Sequence, residues 1–176
     1  KYACELTMGV PVASIGPSVA SIYDAPLRLN GCASLSVSQS GQSPDIVEMS
    51  RSAGAHGALS NALTSAPHSP LSEARRHTLN IHAVLDHSVA STMTVVFSAV
   101  AGLLLIAEWR GDSALRAALR NLPAVLERAI AIDWGEVEHA LAGASSLFTL
   151  GRGPAWAISN EAALKFKETC RLHAES

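Results

Sequence analysis

Residues 33–49 read ASLSVSQSGQSPDIVEM, and this stretch decides the predicted fold. Residues 33–37 alternate small or polar with apolar side chains, a pattern that favours a buried β-strand. Pro44 and Asp45 then favour the first turn of a helix, because proline fits that turn and a carboxylate complements the helix dipole. The stretch therefore predicts a strand, a polar turn at residues 38–43 and a helix.

The alternation of strand and helix recurs along the chain. Short β-branched or apolar runs predict strands at residues 10–15, 33–37, 57–63, 78–83 and 146–150. Segments of helical period separate these runs, and the clearest are residues 87–109, 113–131, 134–141 and 158–172. Short strands alternating with longer helices indicate an α/β fold with a parallel sheet.

The composition excludes several classes of protein. The chain has 176 residues, is 48% hydrophobic and carries a formal charge of −2, so it is neither disordered nor a polyelectrolyte. Its 13 basic and 15 acidic residues are scattered, which predicts no nucleic acid or membrane surface as a partner. The three cysteines contain no Cys-x-x-Cys pair, which argues against a disulfide framework or a thiolate metal site and favours the cytoplasm.

The most apolar run covers residues 94–107, about 14 residues against the roughly 20 that a bilayer-spanning helix needs. We therefore predict a buried helix. The first residues have no signal-peptide pattern. Because the chain begins without Met and ends without a helix stop, we expect further segments at both ends.

The turn at residues 38–43 is a candidate phosphate site. In a parallel sheet, ligands bind beyond the carboxyl ends of the strands, where helix N termini present free N–H groups and a favourable dipole to an anion. The turn has this position and offers hydroxyls, an amide and a glycine that permits close approach of the backbone. The alternative is an ordinary turn rich in serine and glycine, and composition alone does not separate the two.

Three segments carry a resemblance to a known family. Residues 36–45 closely resemble the Ser-Gln-Ser-Gly loop of the sugar isomerase (SIS) domain. Residues 151–153, followed by 161–168 and 173–175, resemble the second-domain signature of the isomerase half of glucosamine-6-phosphate synthase and its glutaminase-free relatives. Residues 89–92 match a third motif of that group, and the motifs occur in the family order.

The resemblance implies the SIS fold, a three-layer αβα sandwich built on a parallel sheet. It implies that residues 1–110 form one nearly complete SIS domain, which lacks its first strand. Residues 111–144 would form a helical connector, and residues 145–176 the start of a second SIS domain. The family's Gly-Thr-Ser-type and Lys-His-Gly-Pro motifs are not in this chain. Met93 stands where the family usually has a lysine, and residues 84–86 replace its Gly-Pro-Glu stretch.

The resemblance also assigns roles to individual residues. The phosphate of a sugar 6-phosphate would be bound by the loop side chains Ser38, Gln39, Ser40 and Ser43. The sugar would contact Val89 and Ser91. Glu168 would be the base that moves a proton between C1 and C2, and Lys165 would assist at the ring or carbonyl end.

The residues alone make this chemistry reasonable. Aldose–ketose interconversion needs a carboxylate to carry the proton and a cation or donor to stabilise the enediolate. Lys165 and Glu168 are three positions apart and fall on the same helix face. Ordinary surface ion pairs have the same spacing, so the surrounding motif is what favours a catalytic role.

The implied function is that of a phosphosugar isomerase or deaminase acting on a glucosamine-6-phosphate or fructose-6-phosphate type of substrate, with no metal or redox cofactor. One alternative is a non-catalytic module that binds a sugar phosphate to regulate a partner, which Met93 in place of lysine favours. Another is a fructosamine-6-phosphate deglycase. The expected partner is the sugar phosphate itself, and because SIS proteins often build their sites across a dimer, we expect a cytoplasmic homodimer.

Other motifs are weaker. His77, His82 and His87 repeat every five residues, a spacing that turns successive rings away from one another and argues against a metal site. The sequence has no Gly-x-Ser-x-Gly elbow to support a serine hydrolase. Residues 151–153 resemble the start of a dinucleotide loop, but Trp156 stands where its third glycine would be.

Overall fold

The computed structural model describes residues 1–83 and 90–176, which divide into two compact units. The three-stranded unit comprises Ala13–His87 and Ser91–Gly102, and the two-stranded unit comprises Lys1–Val12, Ser88–Ala90 and Leu103–Ser176. In chain order the described elements are α1 (Tyr2–Met8), α2 (Ser18–Ser21), β1 (Ala33–Val37), α3 (Pro44–Ala55), β2 (Leu59–Thr64), α4 (Pro70–Glu73), β3 (His77–Asn80), α5 (Thr92–Arg110), α6 (Ser113–Ile130), α7 (Gly135–Leu141), β4 (Ser146–Phe148), α8 (Ala155–Cys170) and β5 (His173–Glu175).

The three-stranded unit is built on a parallel sheet in the order β1-β2-β3. Strand β2 is the most buried of the three because it has a hydrogen-bonded neighbour on each side. Its side chains Ala62, Leu63 and Thr64 have exposed fractions of 0%, 1% and 0%. Ala62 packs with Val47 of α3 and Leu71 of α4, so these two helices cover one face of the sheet.

The other face of this sheet is covered by α5. Leu63 clusters with Ile81 and Ala83, and Ala101 of α5 packs against them. Successive side chains of a strand point to opposite faces, which is why Ala62 and Leu63 contact different helices. Burial of a leucine such as Leu63 stabilises the fold by about 1.5–3 kcal/mol. The predicted three-layer arrangement, with a parallel sheet between helices, is confirmed.

The two-stranded unit contains a strand–helix–strand motif. Strand β4 pairs in parallel with β5, with Leu147 opposite Ala174, and α8 makes the crossover between them. Ala163 of α8 and Ala174 of β5 are 3% and 0% exposed. The Thr149 hydroxyl donates to the carbonyl of Ser159 at 2.7 Å and ties the end of β4 to α8.

Most predicted elements are present with small shifts at their ends, but the strand predicted at residues 10–15 is absent. Helix α1 ends at Gly9, which has a φ of 66°. Pro11 has no N–H to donate to a ladder. The N–H of Val12 donates to Glu5 Oε1 at 3.2 Å, so the segment folds back onto α1. The apolar run reflects this local packing and not a strand.

Two further predictions about strands are corrected. Strand β3 ends at Asn80 and does not reach residue 83, because the Asn80 side chain accepts from the N–H of His82 at 2.7 Å and His82 has a φ of 52°. Strand β1 is not buried: Leu35 and Val37 are 44% and 42% exposed. In the described part of the chain β1 pairs only with β2, which leaves its other edge uncovered.

The prediction that residues 94–107 form a buried helix is wrong. Helix α5 extends from Thr92 to Arg110 and is long and apolar enough to cross a membrane by length and composition, with a mean hydropathy of 1.8. Only 11% of that apolar window is buried within the chain. Of the helix residues, Ile106 and Ala107 are the buried ones. Its apolar side chains surround the helix on all sides, so one packed face leaves the rest exposed.

Candidate functional site

The loop at residues 38–43 lies at the carboxyl end of β1 and leads into α3, as the sequence predicts. Its conformation depends on Gly41, which has a φ of 62°. A Cβ at this position would collide with the Ser69 side chain and lie 3.1 Å from the Thr64 hydroxyl. Glycine is therefore required at position 41 for two reasons: its backbone angle and its lack of a side chain.

The loop is fastened by backbone hydrogen bonds to the elements beside it. The N–H of Ser38 donates to Leu63 O at 3.0 Å, and Gln39 O accepts from the N–H of Ser65 at 3.1 Å. The carbonyl of Gly41 accepts from the N–H of Leu71 in α4, also at 3.1 Å. These contacts hold the loop to both β2 and α4, so its shape is set before any ligand arrives.

The predicted phosphate-binding side chains come together in this loop but differ in their freedom to bind. Ser38 is buried, and its hydroxyl accepts from the N–H of Gly41 at 3.1 Å, so it shapes the loop. Ser40 is exposed and accepts weakly from Gln42 N at 3.3 Å. Ser43 is the N-cap of α3 and makes no side-chain capping bond, which leaves its hydroxyl able to donate to a ligand.

A cavity of about 260 Å³ adjoins the loop and reveals a residue that sequence reasoning missed. Gln39, Ser40 and Gln42 line it from the loop, and Ser65 lines it from the end of β2. The Ser65 hydroxyl is buried and has no hydrogen-bond partner among the described residues. A buried hydroxyl without a partner is costly, and a phosphate oxygen would supply the missing acceptor. The signal for Ser65 is its position directly after a neighbouring parallel strand.

Of the two residues predicted to contact the sugar, Ser91 is among the described residues. Val89 and residues 84–86 lie outside the described residues. Ser91 is exposed, belongs to the three-stranded unit with the loop, and its carbonyl accepts from Val95 N at 3.4 Å at the start of α5. Met93, in place of the family lysine, is 37% exposed in the first turn of that helix.

On α8 the structure brings Lys165 and Glu168 together, as the sequence predicts. Lys165 Nζ donates to Glu168 Oε2 at 2.8 Å. It also forms an ion pair at 3.2 Å with Glu161 Oε1, which the sequence reasoning did not single out. The spacing of four residues between Glu161 and Lys165 is the signal that reveals this contact. We call these three residues the α8 charge cluster.

Two carboxylates on one ammonium group raise the pKa of Lys165 above its ordinary value. The hydrogen bond that Lys165 donates to Glu168 is the largest cause, burial opposes it, and Glu161 adds to the rise. Lys165 is therefore a cation at neutral pH, able to donate a proton in a hydrogen bond but unsuited to act as a base. Of the predicted pair, Glu168 carries the carboxylate that can accept a proton.

The predicted residues thus form two groups in different units. The loop belongs to the three-stranded unit and the α8 charge cluster to the two-stranded unit. In residues 1–83 and 90–176, no three His, Cys, Asp or Glu side chains come together as metal ligands. The chemistry available from the described side chains is anion binding at the loop and proton transfer with electrostatic stabilisation at α8.

No family model matches the chain, but comparisons with individual proteins find that it is similar to sugar-phosphate enzymes. It is 32% identical to the isomerizing glutamine–fructose-6-phosphate aminotransferase of Symbiobacterium thermophilum over 100% of this chain and 30% of that protein. The corresponding enzyme of Zymomonas mobilis is also 32% identical, over 99% of this chain and 30% of its own length.

Solved structures agree with the sequence relatives. A protein of Silicibacter pomeroyi DSS-3, provisionally assigned as a phosphosugar isomerase, is 61% identical with a TM-score of 0.95, over 99% of this chain and 54% of its own. The C-terminal domain of glucosamine-fructose-6-phosphate aminotransferase from Francisella tularensis is 26% identical with a TM-score of 0.84, over 99% of this chain and 52% of its own.

The chain has the SIS fold, a parallel α/β fold that it shares with these solved phosphosugar-isomerase-type structures. More closely, the chain resembles the isomerase half of glutamine–fructose-6-phosphate aminotransferase. It spans 30% of the length of that curated relative and about half of the solved structures, at 54% and 52%. The predicted domain boundaries at residues 110 and 144 stay a prediction.

Proposed function

We propose that the chain is part of a phosphosugar isomerase or deaminase acting on an amino-sugar or ketohexose 6-phosphate. The relatives support a function of the sugar-phosphate isomerase type. The observation that carries the proposal is the hydrogen bond of 2.8 Å between Lys165 and Glu168, because it pairs a proton acceptor with a group that is a cation at neutral pH on one helix face. That pair is what proton transfer between C1 and C2 requires.

In the binding step, the loop at residues 38–43 holds the phosphate. Ser40, Ser43 and Ser65 donate hydroxyl hydrogens to its oxygens, and Gln39 adds its side-chain amide. Ser38 contributes mainly by shaping the loop through the N–H of Gly41. The N terminus of α3 supplies a favourable dipole for the anion. Because the adjoining cavity of about 260 Å³ is small, it suits the phosphate end of the substrate.

In the chemical step, the Glu168 carboxylate removes the proton from the carbon next to the carbonyl. The electron pair of that C–H bond forms the double bond of the enediolate, and the carbonyl oxygen takes the negative charge. Lys165 stabilises this oxygen as a cation and hydrogen-bond donor. Glu168 then delivers that proton, or one exchanged from solvent, to the neighbouring carbon. The hydroxyl proton on the carbon that lost its hydrogen moves to the charged oxygen, so that carbon becomes the carbonyl and the former carbonyl carbon becomes an alcohol. Val89 and Ser91 are proposed to contact the sugar during this step.

The test is Glu168→Gln in the full-length protein, with fructose 6-phosphate and glucosamine 6-phosphate as substrates. Loss of the proton acceptor should lower turnover by about 100-fold or more, measured as exchange of carbon-bound hydrogen with D₂O by NMR. Sugar-phosphate affinity, measured by calorimetry, should change by less than about threefold because the loop is intact. Full activity in this variant would rule out Glu168 as the base.

Glu108→Gln is the matched control. Glu108 forms an ion pair with Arg116 at 2.9 Å in the same two-stranded unit, so the variant also removes a carboxylate from a short surface ion pair. Activity should stay within about twofold of the wild type. A similar loss in both variants would indicate a general effect of charge or folding and not a role in proton transfer.

A non-catalytic sensor of sugar phosphates is the second candidate, and Met93 in place of a lysine favours it. Such a sensor would bind the 6-phosphates but exchange no carbon-bound hydrogen. A fructosamine-6-phosphate deglycase is a third possibility and would release an amine from that substrate. A thermal-shift panel of hexose, amino-hexose and fructosamine 6-phosphates tests the premise that all three share, and no shift with any ligand would overturn it.

We also propose that the protein acts in the cytoplasm as a homodimer, without a nucleic-acid or membrane partner. The near-balanced charge of −2 supports the absence of nucleic-acid binding. Light scattering of the full-length protein would test the dimer, since a monomer at all concentrations would contradict it.

A further inference from the structure

A second cavity, of about 520 Å³, opens at the end of the sheet opposite the loop. It is lined by the start of β2 at Leu59 and Ser60, by the end of α3 at Arg51, and by Arg75 and Arg76 before β3. The loop lies at the carboxyl ends of the strands, whereas this cavity lies at their amino ends. We call it the arginine cavity, and all its lining residues belong to the three-stranded unit.

The lining of the arginine cavity is strongly positive. It contains three arginines and no aspartate or glutamate. Arg51 has one carboxylate nearby, Glu48 at 3.7 Å, but both side chains are more than half exposed and the pair is weak. Burial, followed by the like charge of Arg51, lowers the pKa of Arg75. The cavity therefore concentrates positive charge without a matching internal anion.

Two hydrogen bonds anchor Arg75 through one nitrogen of its guanidinium group. Its Nη1 donates to the carbonyl of Ser50 and to the Ser60 hydroxyl, the latter at 2.6 Å. Ser50 and Ser60 are 1% and 6% exposed, so the guanidinium is anchored to the buried part of the unit. Its Nε is buried and has no hydrogen-bond partner in the described part of the chain. Buried N–H groups ordinarily have a hydrogen-bond acceptor, and a bound anion could supply one here.

We propose that the arginine cavity binds a phosphorylated anion of the diphosphate or polyphosphate class. Guanidinium groups bind phosphate oxygens through paired N–H donors, and three of them match a ligand with several negative charges better than a single monoanion. Because the cavity lies at the opposite end of the strands from the loop, its ligand is distinct from the sugar-phosphate substrate. The site would suit a regulatory ligand, and it does not depend on the proposed reaction.

The test is calorimetric titration of pyrophosphate and of ADP into the full-length protein at about 0.1 M ionic strength, where exposed charges are partly screened. The double variant Arg51→Gln/Arg76→Gln removes two exposed arginines and leaves the internal bonds of Arg75 in place. We expect it to bind pyrophosphate at least about tenfold more weakly than the wild type.

The control is Arg120→Gln/Arg128→Gln, which removes the same charge from the exposed surface of α6. Its pyrophosphate affinity should stay within about twofold of the wild type, and so should that of the loop variant Ser40→Ala. Equal affinity for ADP and pyrophosphate would identify the phosphate chain as the recognised group, and tighter ADP binding would identify a nucleotide.

Two results would overturn the proposal. One is no binding of either probe by the wild-type protein. The other is binding that the arginine-cavity variant retains and Ser40→Ala loses, since the probes would then occupy the loop. Neither result depends on turnover, so the proposal can fail while the proposed isomerase function stands.

Discussion

The loop at residues 38–43 and the α8 charge cluster are held in place by different kinds of contact. Backbone hydrogen bonds fasten the loop to β2 and α4, and most of its shape would survive changes in its side chains. The α8 charge cluster consists of side-chain ion pairs whose members are 21%, 31% and 33% exposed. The fold therefore determines the binding element, whereas a few side-chain charges determine the proposed chemistry.

Gly41→Ala should have the largest effect, because it disturbs the backbone conformation on which the loop depends. The new Cβ would collide with Ser69 in a conformation that already costs a non-glycine residue about 1–2 kcal/mol. We expect a loss of roughly 2–4 kcal/mol in the free energy of unfolding and loss of sugar-phosphate binding. Urea unfolding and calorimetry would measure the two.

Gly111→Ala is the control for this prediction. Gly111 has a φ of 65° and open space around its Cβ position, so only the backbone cost of about 1 kcal/mol applies. Equal losses in the two variants would show that contact with Ser69 does not constrain the loop.

Lys165→Met should act on chemistry and spare binding. Without the cation, the enediolate oxygen loses its stabilising charge, and kcat should fall by about 100-fold with little change in substrate affinity. Lys167→Met is the control, since Lys167 contacts Glu175 at 3.5 Å and is 41% exposed. Its kcat should remain within about twofold of the wild type. A fall in affinity at constant kcat would place Lys165 in binding and contradict its role.

Ser65→Ala should weaken phosphate binding about tenfold without destabilising the protein, because the Ser65 hydroxyl has no partner among the described residues. Ser72→Ala is the opposite case, because the Ser72 hydroxyl of the wild type donates to Pro67 O and Ser69 O at 2.8 Å. That variant should lose about 1 kcal/mol of stability and keep its phosphate affinity. The pair of variants, compared by titration and urea unfolding, would show whether Ser65 serves binding or packing.

The smallest effect concerns pH. Folding raises the pKa of Lys165 above its ordinary value of 10.5. The ion pairs of Lys165 therefore contribute their full stability at pH values below the unfolded pKa. That stability is lost as the pH rises through the folded pKa. We expect less than about 1 kcal/mol because the cluster is partly exposed. Unfolding measured at about pH 9 and 11.5 should show a smaller decline in Lys165→Met than in the wild type. Identical declines would indicate that the cluster adds no stability.

Local features could be predicted from the sequence, and tertiary ones could not. The segment from β1 through the loop to α3 is encoded by consecutive residues, and the prediction of strand 33–37 matches its observed limits. The pair Lys165 and Glu168 follows from helical spacing alone. The apolar character of α5 was visible too, but its exposure depends on which elements pack against it, and only Ile106 and Ala107 are buried.

The residues that sequence reasoning missed belong to contacts between separate segments. Ser65 reaches the loop only because β1 and β2 are neighbours in the sheet. The arginine cavity combines α3 with the starts of β2 and β3, and in the sequence Arg51 is far from the pair Arg75-Arg76. Glu161 is the exception, because its spacing of four residues from Lys165 predicts the contact. The family resemblance assigned roles only to Lys165 and Glu168.

The bonds between the loop and β2 limit where the chain can change in length. Ser38 N bonds to Leu63 O, and Ser65 N bonds to Gln39 O, so the ends of β1 and β2 must keep a fixed alignment. An insertion or deletion at the end of either strand would shift one partner of each of these two bonds along the chain. The α3–β2 turn at residues 56–58, which includes the exposed Gly57, lies outside this constraint. Length variation among homologous sequences should therefore accumulate at that turn and be excluded from the strand ends.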